Sequence, residues 1–198
     1  MQDEQALVRA IQGGDAAAFR RMVERFQRDV YYLALDLTGD HHDAEDLAQE
    51  VFVKAHHGIR GFRGGAKLST WLYRITMNAY LDSKRRKTPV VVSLVASDDG
   101  RGGDELIDLV ADQGTRGPEA VAEASRIEAH VRQALGALSE QERTVFVMRH
   151  YQDMPIKEIA DGLDVAEGTV KSLLFRGVRK LREELSFYRE ELGLEDTA

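Results

Sequence analysis

The chain has 198 residues, 34 of them acidic and 27 lysine or arginine, for a net charge of −7, and it contains no cysteine. Disulfides, thiolate metal sites and thiol nucleophiles are therefore excluded. The acidic N-terminus MQDEQALVRA lacks the apolar core of a secretory signal, and no apolar run approaches a membrane span, so a cytoplasmic protein without membrane insertion is expected. An acidic total is a poor setting for a self-sufficient DNA binder, because non-specific affinity comes mostly from phosphate neutralisation. Yet the basic residues are concentrated in two places, which divides charge by task.

Residues 4–57 read as three helices. The first, about Glu4 to Gln12, stops at Gly13-Gly14. Asp15 is a good N-cap for the second, which carries Phe19, Met22, Val23, Phe26, Val30, Leu33 and Leu37 on a wide apolar stripe and ends at Gly39-Asp40. The third begins near Asp43 and turns Leu47, Val51, Phe52 and Ala55 inward. Asp43, Glu45, Asp46, Gln49 and Glu50 crowd its first turns. Acidic groups there suit the helix dipole, and their density also suggests a surface for docking a protein.

Residues 58–68 form a loop with four glycines and three basic residues, after which Ser69 is placed to cap a helix running to about Lys87. From Arg60 to Lys87 there are eight basic residues and a single acidic one, Asp82. Trp71, Tyr73 and, in the loop, Phe62 are interleaved with them. Aromatic rings among basic groups are what single-stranded nucleic acid requires, stacking on ring faces with charge along the backbone. Trp71 itself suits a core position, whereas Phe62, Tyr73 and Tyr80 are open to either role. Beyond Val90 the composition changes, with eight acidic residues, two basic ones and five glycines up to residue 125. Its apolar clusters are too brief for a core, so a flexible acidic linker is expected.

From Arg126 the helical period resumes through Ile127, Val131, Ala134, Leu135 and Leu138, and Ser139 to Glu142 reads as a capping box opening the next helix. Pro155, Ile156, Ile159, Ala160 and Leu163 mark a short amphipathic helix. Gly162, Asp164 and Val165 supply a tight turn before EGTVKSLLFRGVRKLR, residues 167–182. Val170, Leu174, Val178 and Leu181 form its apolar stripe. Between Thr169 and Arg182 stand five basic residues and no acidic one. Two short helices joined in this way, the second basic, read as a helix-turn-helix whose second helix enters a major groove. Phe175 lies off the stripe, where it is able to meet a thymine methyl while Arg176 or Lys171 reaches guanine or phosphate. The last helix extends to about Leu192 before an acidic end. No strand pattern occurs, so the chain is expected to be all-α in two helical modules, 1–88 and 126–186, joined by the linker 89–125 and followed by a tail, 187–198.

Assembled in this order, the residues resemble bacterial sigma factors of the extracytoplasmic-function group in the sigma-70 family. Asp43-Ala44-Glu45-Asp46-Leu47-Ala48-Gln49-Glu50-Val51-Phe52 is similar to their region 2.2, which docks on core RNA polymerase. The resemblance implies that role for Asp43, Asp46, Gln49 and Glu50. Thr70-Trp71-Leu72-Tyr73-Arg74-Ile75, followed by Asn78, Asp82, Arg85 and Arg86, is similar to regions 2.3 and 2.4, which melt and read the −10 element. Together with the preceding loop this implies single-stranded −10 contacts from Phe62, Arg63, Lys67, Arg74, Asn78, Asp82, Lys84, Arg85 and Arg86. Gly168-Thr169-Val170-Lys171-Ser172 with Phe175-Arg176 is similar to the −35-reading helix of region 4, implying duplex contacts from Thr169, Lys171, Ser172, Phe175, Arg176 and Arg179. Leu173 stands where a basic residue is common in the family, Gly177 where alanine is usual, and Ser139 where proline is frequent. Leu173 is expected to forfeit a phosphate contact, and Gly177 to weaken its helix by up to about 1 kcal/mol.

The resemblance implies promoter specificity without covalent chemistry or cofactor, in the bacterial cytoplasm and under an anti-sigma factor. A free-standing helix-turn-helix regulator is the alternative, but it leaves the basic segment 60–87 and the acidic third helix without a task. His41-His42 and His56-His57, with Asp43 or Glu45 nearby, do not converge as a metal or catalytic site requires, so no enzyme activity and no metal are expected.

Overall fold

The computed structural model describes residues 2–87 and 130–186. The expected linker, the C-terminal tail and the end of the last helix lie outside the described residues. Among the described residues eight helices follow in order: α1 (Gln2–Gln12), α2 (Ala16–Thr38), α3 (His41–Gly58), α4 (Leu68–Lys87), α5 (130–136), α6 (Glu140–His150), α7 (Ile156–Leu163) and α8 (Glu167–Glu184). A single 3-10 turn, Ile59–Gly61, follows α3, and no strand occurs among the described residues.

The helix ends follow local chemistry. The Asp15 carboxylate accepts the Ala17 and Ala18 amides at 2.8 and 3.0 Å and caps α2. Gly39, at φ 74°, closes α2 in the left-handed conformation while its amide donates to the Leu35 carbonyl at 2.8 Å. Asp40 then caps α3 by accepting the Asp43 amide at 2.9 Å, so that helix starts two residues earlier than expected. The capping box at Ser139 forms in both directions: the Ser139 hydroxyl accepts the Glu142 amide, and the Glu142 carboxylate accepts the Ser139 amide.

α4 departs from the expectation that Ser69 caps it. Its helix begins at Leu68, whose amide donates to the Glu4 carboxylate of α1 at 2.5 Å. The Gln12 amide, at the other end of α1, donates to the Ile59 and Phe62 carbonyls at 3.0 and 2.9 Å. α1 therefore clasps the glycine-rich loop at both ends, which replaces lost water partners for backbone groups that the loop cannot satisfy itself.

Met22, Phe26, Val30, Leu33 and Leu37 of α2, Leu47 and Val51 of α3, and Leu72 of α4 build the N-terminal core as their spacing dictates. That apolar cluster continues without a break into Val145, Met148, Ile159, Val170 and Leu173 of the C-terminal module. A smaller cluster gathers Ala134, Leu135, Leu138 and Leu181.

One expectation for α8 is corrected. Leu173, read as an outward position lacking a phosphate contact, is only 5% exposed, while Leu174, read as inward, is half-buried and packs against the core. α8 packs against both α6 and α7, so its buried arc is wider than one stripe and takes in Leu173, Gly177 and Val178 together. A basic residue at 173 would bury a charge here. Gly177 has room for a methyl group. A Cβ there would meet Glu142 Cβ at 3.7 Å and the Glu142 carbonyl at 3.8 Å, ordinary contact distances. Gly177→Ala is expected to raise unfolding free energy by up to about 1 kcal/mol. A chemical-denaturation midpoint that falls instead would show α6 and α8 to be closer than these distances state.

Candidate nucleic-acid interface

In the helix-turn-helix, α7 ends at Asp164, in the left-handed region at φ 55°, and its Val165 amide returns to the Ala160 carbonyl at 3.1 Å. Short polar side chains tolerate that conformation. α8 then presents Lys171 and Arg179 exposed and Thr169, Ser172, Phe175 and Arg176 half-buried. All six expected −35 contacts thus retain solvent access, and they lie along one helix.

Arg176 and Lys180 are not free side chains, however. Lys180 Nζ donates to Glu142 Oε2 at 2.7 Å, and Arg176 Nε stands 3.5 Å from Glu142 Oε1. Glu142 itself is 4% exposed. Burial alone would raise its carboxyl pKa, but hydrogen bonds from Lys180 and Ser139 outweigh that and hold it below its ordinary range. A buried carboxylate on α6 thereby anchors two basic side chains of α8. Sequence reading took Glu142 only as a cap and missed this second role, because the partners are 34 and 38 residues away.

In the N-terminal module, Arg63 and Lys67 project exposed from the glycine-rich loop, and Phe62 packs on Trp71 with ring centroids 5.2 Å apart. Asn78 is exposed on α4. The aromatic candidates divide. Tyr80 is 1% exposed and belongs to the core, with its hydroxyl pKa pushed up chiefly by burial, so it offers no stacking face. Tyr73 is half-buried, its pKa also raised mainly by burial and then by Asp29.

Asp82, Arg85 and Arg86 are engaged with α3 and with one another. Arg86 donates to Glu50 at 3.2 Å and to the Asp82 carbonyl at 3.3 Å, while Arg85 pairs with Asp82 at 3.7 Å. Lys54 joins Glu50 at 3.0 Å and reaches Asp82 at 3.8 Å. Burial would raise the Glu50 pKa, but Lys54 and Arg86 bring it below its ordinary value. Glu50 was expected to be an exposed docking residue; it is half-buried and ion-paired instead. Asp46 and Gln49 are exposed on the same helix, and Asp43 is half-buried. Arg74 is half-buried: its Nε is buried without a hydrogen-bond partner, and Gly162 of α7 lies against its side chain. Lys84 sits over the Tyr80 ring at 5.5 Å from the centroid. No group of three or more histidine, aspartate or glutamate side chains able to hold a metal occurs among the described residues, and no described helix is long and apolar enough to cross a membrane.

Residues 22–89 match the family model for Sigma-70 region 2, and residues 129–181 match Sigma-70, region 4. Among curated relatives, the ECF RNA polymerase sigma factor SigW of Bacillus subtilis is 32% identical over 178 residues, covering 90% of this chain and 94% of that one. The RNA polymerase sigma-H factor of Pseudomonas aeruginosa is 33% identical over 181 residues, covering 88% and 90%. Among solved structures, the sigma factor RpoE in complex with the anti-sigma factor NepR from Bartonella quintana superposes with a TM-score of 0.59 at 23% identity, over 85% of this chain and 96% of that one.

The Glu142 anchor has a pH signature. Because its folded pKa is depressed, its contribution to stability is full above its ordinary value of 4.5 and is lost as pH falls through the folded value. Glu142→Gln is expected to cost roughly 1.5–3 kcal/mol at pH 7, with the gap from the parent protein closing below pH 4.5. Urea unfolding of both proteins between pH 3 and 7 measures it, and a gap that stays constant with pH would remove the carboxylate's charge from the account.

Proposed function

The chain belongs to the extracytoplasmic-function group of sigma-70 RNA polymerase sigma factors, and from that premise we propose the division of labour among its surfaces. As a sigma factor it is a transcription initiation factor that directs core RNA polymerase to promoters. Asp43, Asp46, Gln49 and, on its inner flank, Glu50 dock α3 on core polymerase. Phe62, Arg63, Lys67, Arg74, Asn78, Asp82, Lys84, Arg85 and Arg86 capture the unpaired −10 strand. Thr169, Lys171, Ser172, Phe175, Arg176 and Arg179 read the −35 duplex. The modules are 1–88 and 126–186, and the site of action is the bacterial cytoplasm. An anti-sigma factor controls availability, a reading supported by the partner in the RpoE–NepR complex. No covalent step is involved: melting is driven by the capture of bases that become available only when the duplex opens.

The observation that carries this reading is the segregation of charge between two exposed helix faces. α3 offers the carboxylates of Glu45 and Asp46 in a chain of net charge −7, while α8 offers Lys171 and Arg179. A surface that repels phosphate is of use against a protein partner, and one that attracts it is of use against DNA.

Asp46→Arg leaves the fold unchanged, since the Asp46 side chain is 68% exposed, and is expected to weaken competition for core polymerase. A reversed-charge protein that competes for core at the parent's concentration would remove α3 from docking. Lys171→Ala is expected to cost roughly 1–3 kcal/mol in promoter binding by holoenzyme and to relax preference at one −35 position. Run-off transcription on promoter libraries reads this directly; an unchanged base preference assigns Lys171 to phosphate alone. Tight sequence-specific binding by the protein without polymerase would favour the free-standing regulator instead.

A further inference from the structure

We propose that Glu142 of α6 is a specificity-determining positioning residue for −35 readout: it aims Arg176 of α8 at a base edge and withholds Lys180 from phosphate. The inference rests on the reading of α8 as the −35 helix, but its first test does not. Arg176 and Lys180 stand one turn apart, at i and i+4, along the same edge of α8. That edge borders the buried arc of Leu173 and Gly177 on one side and the face carrying Ser172 and Arg179 on the other. By position alone, each side chain is able either to reach over a groove or to fold back on α6. Glu142, buried on α6, makes the choice for both.

The two oxygens of Glu142 divide the task. Oε2 accepts the Ser139 amide at 3.0 Å and Lys180 Nζ at 2.7 Å, while Oε1 stands 3.5 Å from Arg176 Nε. A lysine ammonium is a compact point charge, and on DNA it would mostly meet phosphate, which carries no sequence information. Its short bond to a buried carboxylate takes it out of that use. Arginine differs because its guanidinium offers five N–H donors in a rigid fork. An approach through Nε leaves the two Nη groups, the edge that pairs with guanine O6 and N7. Arg176 is 42% exposed and makes no other ion pair or hydrogen bond among the described residues. Restraining it at Nε reduces the rotamer freedom that a long side chain otherwise loses on binding.

Stability alone gives little reason for a charge at this place. Well-packed apolar residues commonly replace a buried ion pair at no cost, whereas a charge-assisted contact fixes direction. The surroundings are shaped to bring the carboxylate level with both cations. Gly177 lies between Arg176 and Lys180 in sequence, and a Cβ there would meet Glu142 Cβ at 3.7 Å and the Glu142 carbonyl at 3.8 Å. Without the carboxylate charge, this edge of α8 would present two untethered cations. Attraction to any duplex would rise and discrimination would fall, since specificity is the difference between the two affinities.

The first test uses full-length protein alone on plain duplex without promoter elements, at low salt and at a temperature where circular dichroism shows every variant folded. Glu142→Gln keeps the shape of the side chain and removes its charge. It is expected to tighten binding roughly two- to fivefold and to steepen the slope of log Kobs against log[salt] by about 0.9, as one added phosphate contact does. Glu24→Gln, the same charge change at an exposed position of α2, is expected to leave the slope unchanged. Lys180→Gln is expected to leave it unchanged too, because that lysine is already held. A slope that becomes shallower by about 0.9 in Lys180→Gln overturns the withholding, whether or not Glu142→Gln folds. The second test uses holoenzyme on promoter libraries randomised at −35. Glu142→Gln is expected to reduce preference at one position about fivefold or more, and to reduce it no further in an Arg176→Ala background. An equal loss in both backgrounds, or a loss spread evenly over the element, overturns the aiming of Arg176. A parent holoenzyme indifferent to the −35 sequence fails the promoter reading itself, while the salt slopes on plain duplex still decide the hold on Lys180.

Discussion

The C-terminal module depends on one buried carboxylate. Glu142 closes the capping box of α6 through Ser139 and at the same time binds Lys180 and approaches Arg176 on α8. A lone charge buried to this degree would cost several kcal/mol. Its oxygens instead receive a backbone amide and a lysine ammonium, so the cost is offset by charge-assisted hydrogen bonds. The consequence is positional: the basic helix cannot roll about its axis on the apolar stripe alone, because two of its cations are tied to a fixed acceptor. Gly177, packed over the Glu142 backbone, lets the helices approach at that same level.

The N-terminal module uses a parallel device at its surface. Lys54 of α3 pairs with Glu50 of its own helix and reaches Asp82 of α4, and Arg86 of α4 pairs with Glu50, which couples the helix proposed to face polymerase with the helix proposed to face DNA. These side chains are partly exposed, so their pairing is weak and screened by salt. Weakness suits the task. Basic residues held by nearby carboxylates do not gather adventitious polyanions, yet a phosphate strand is able to displace them at little cost.

Local chemistry was legible in the sequence to a good extent. Asp15, Gly39 and the Ser139 capping box each end a helix by interactions within four residues, and such signals survive any tertiary context. The all-α class and the order of the helices followed from apolar periodicity. What escaped was long-range. Glu4 caps α4 from 64 residues away, Gln12 fastens the loop from 47 and 50, and the Leu173 side of α8 is buried because two helices cover it rather than one. Periodicity fixes that a helix has an apolar face but not how wide an arc its neighbours cover, so stripes through Leu173 and through Leu174 fit equally well. Tyr80 was ambiguous for the same reason: a tyrosine among basic residues reads as a base platform until another helix is packed on it.

The continuity of the core across both modules changes how the acidic total charge is understood. A chain of net charge −7 with two basic surfaces would be expected to keep those surfaces apart by self-repulsion. Instead the contact between modules is largely apolar, through Met77 and the α7 backbone at Gly162, with Arg143 donating to a neutral carbonyl. Such a contact is little affected by salt, unlike contacts to DNA phosphate.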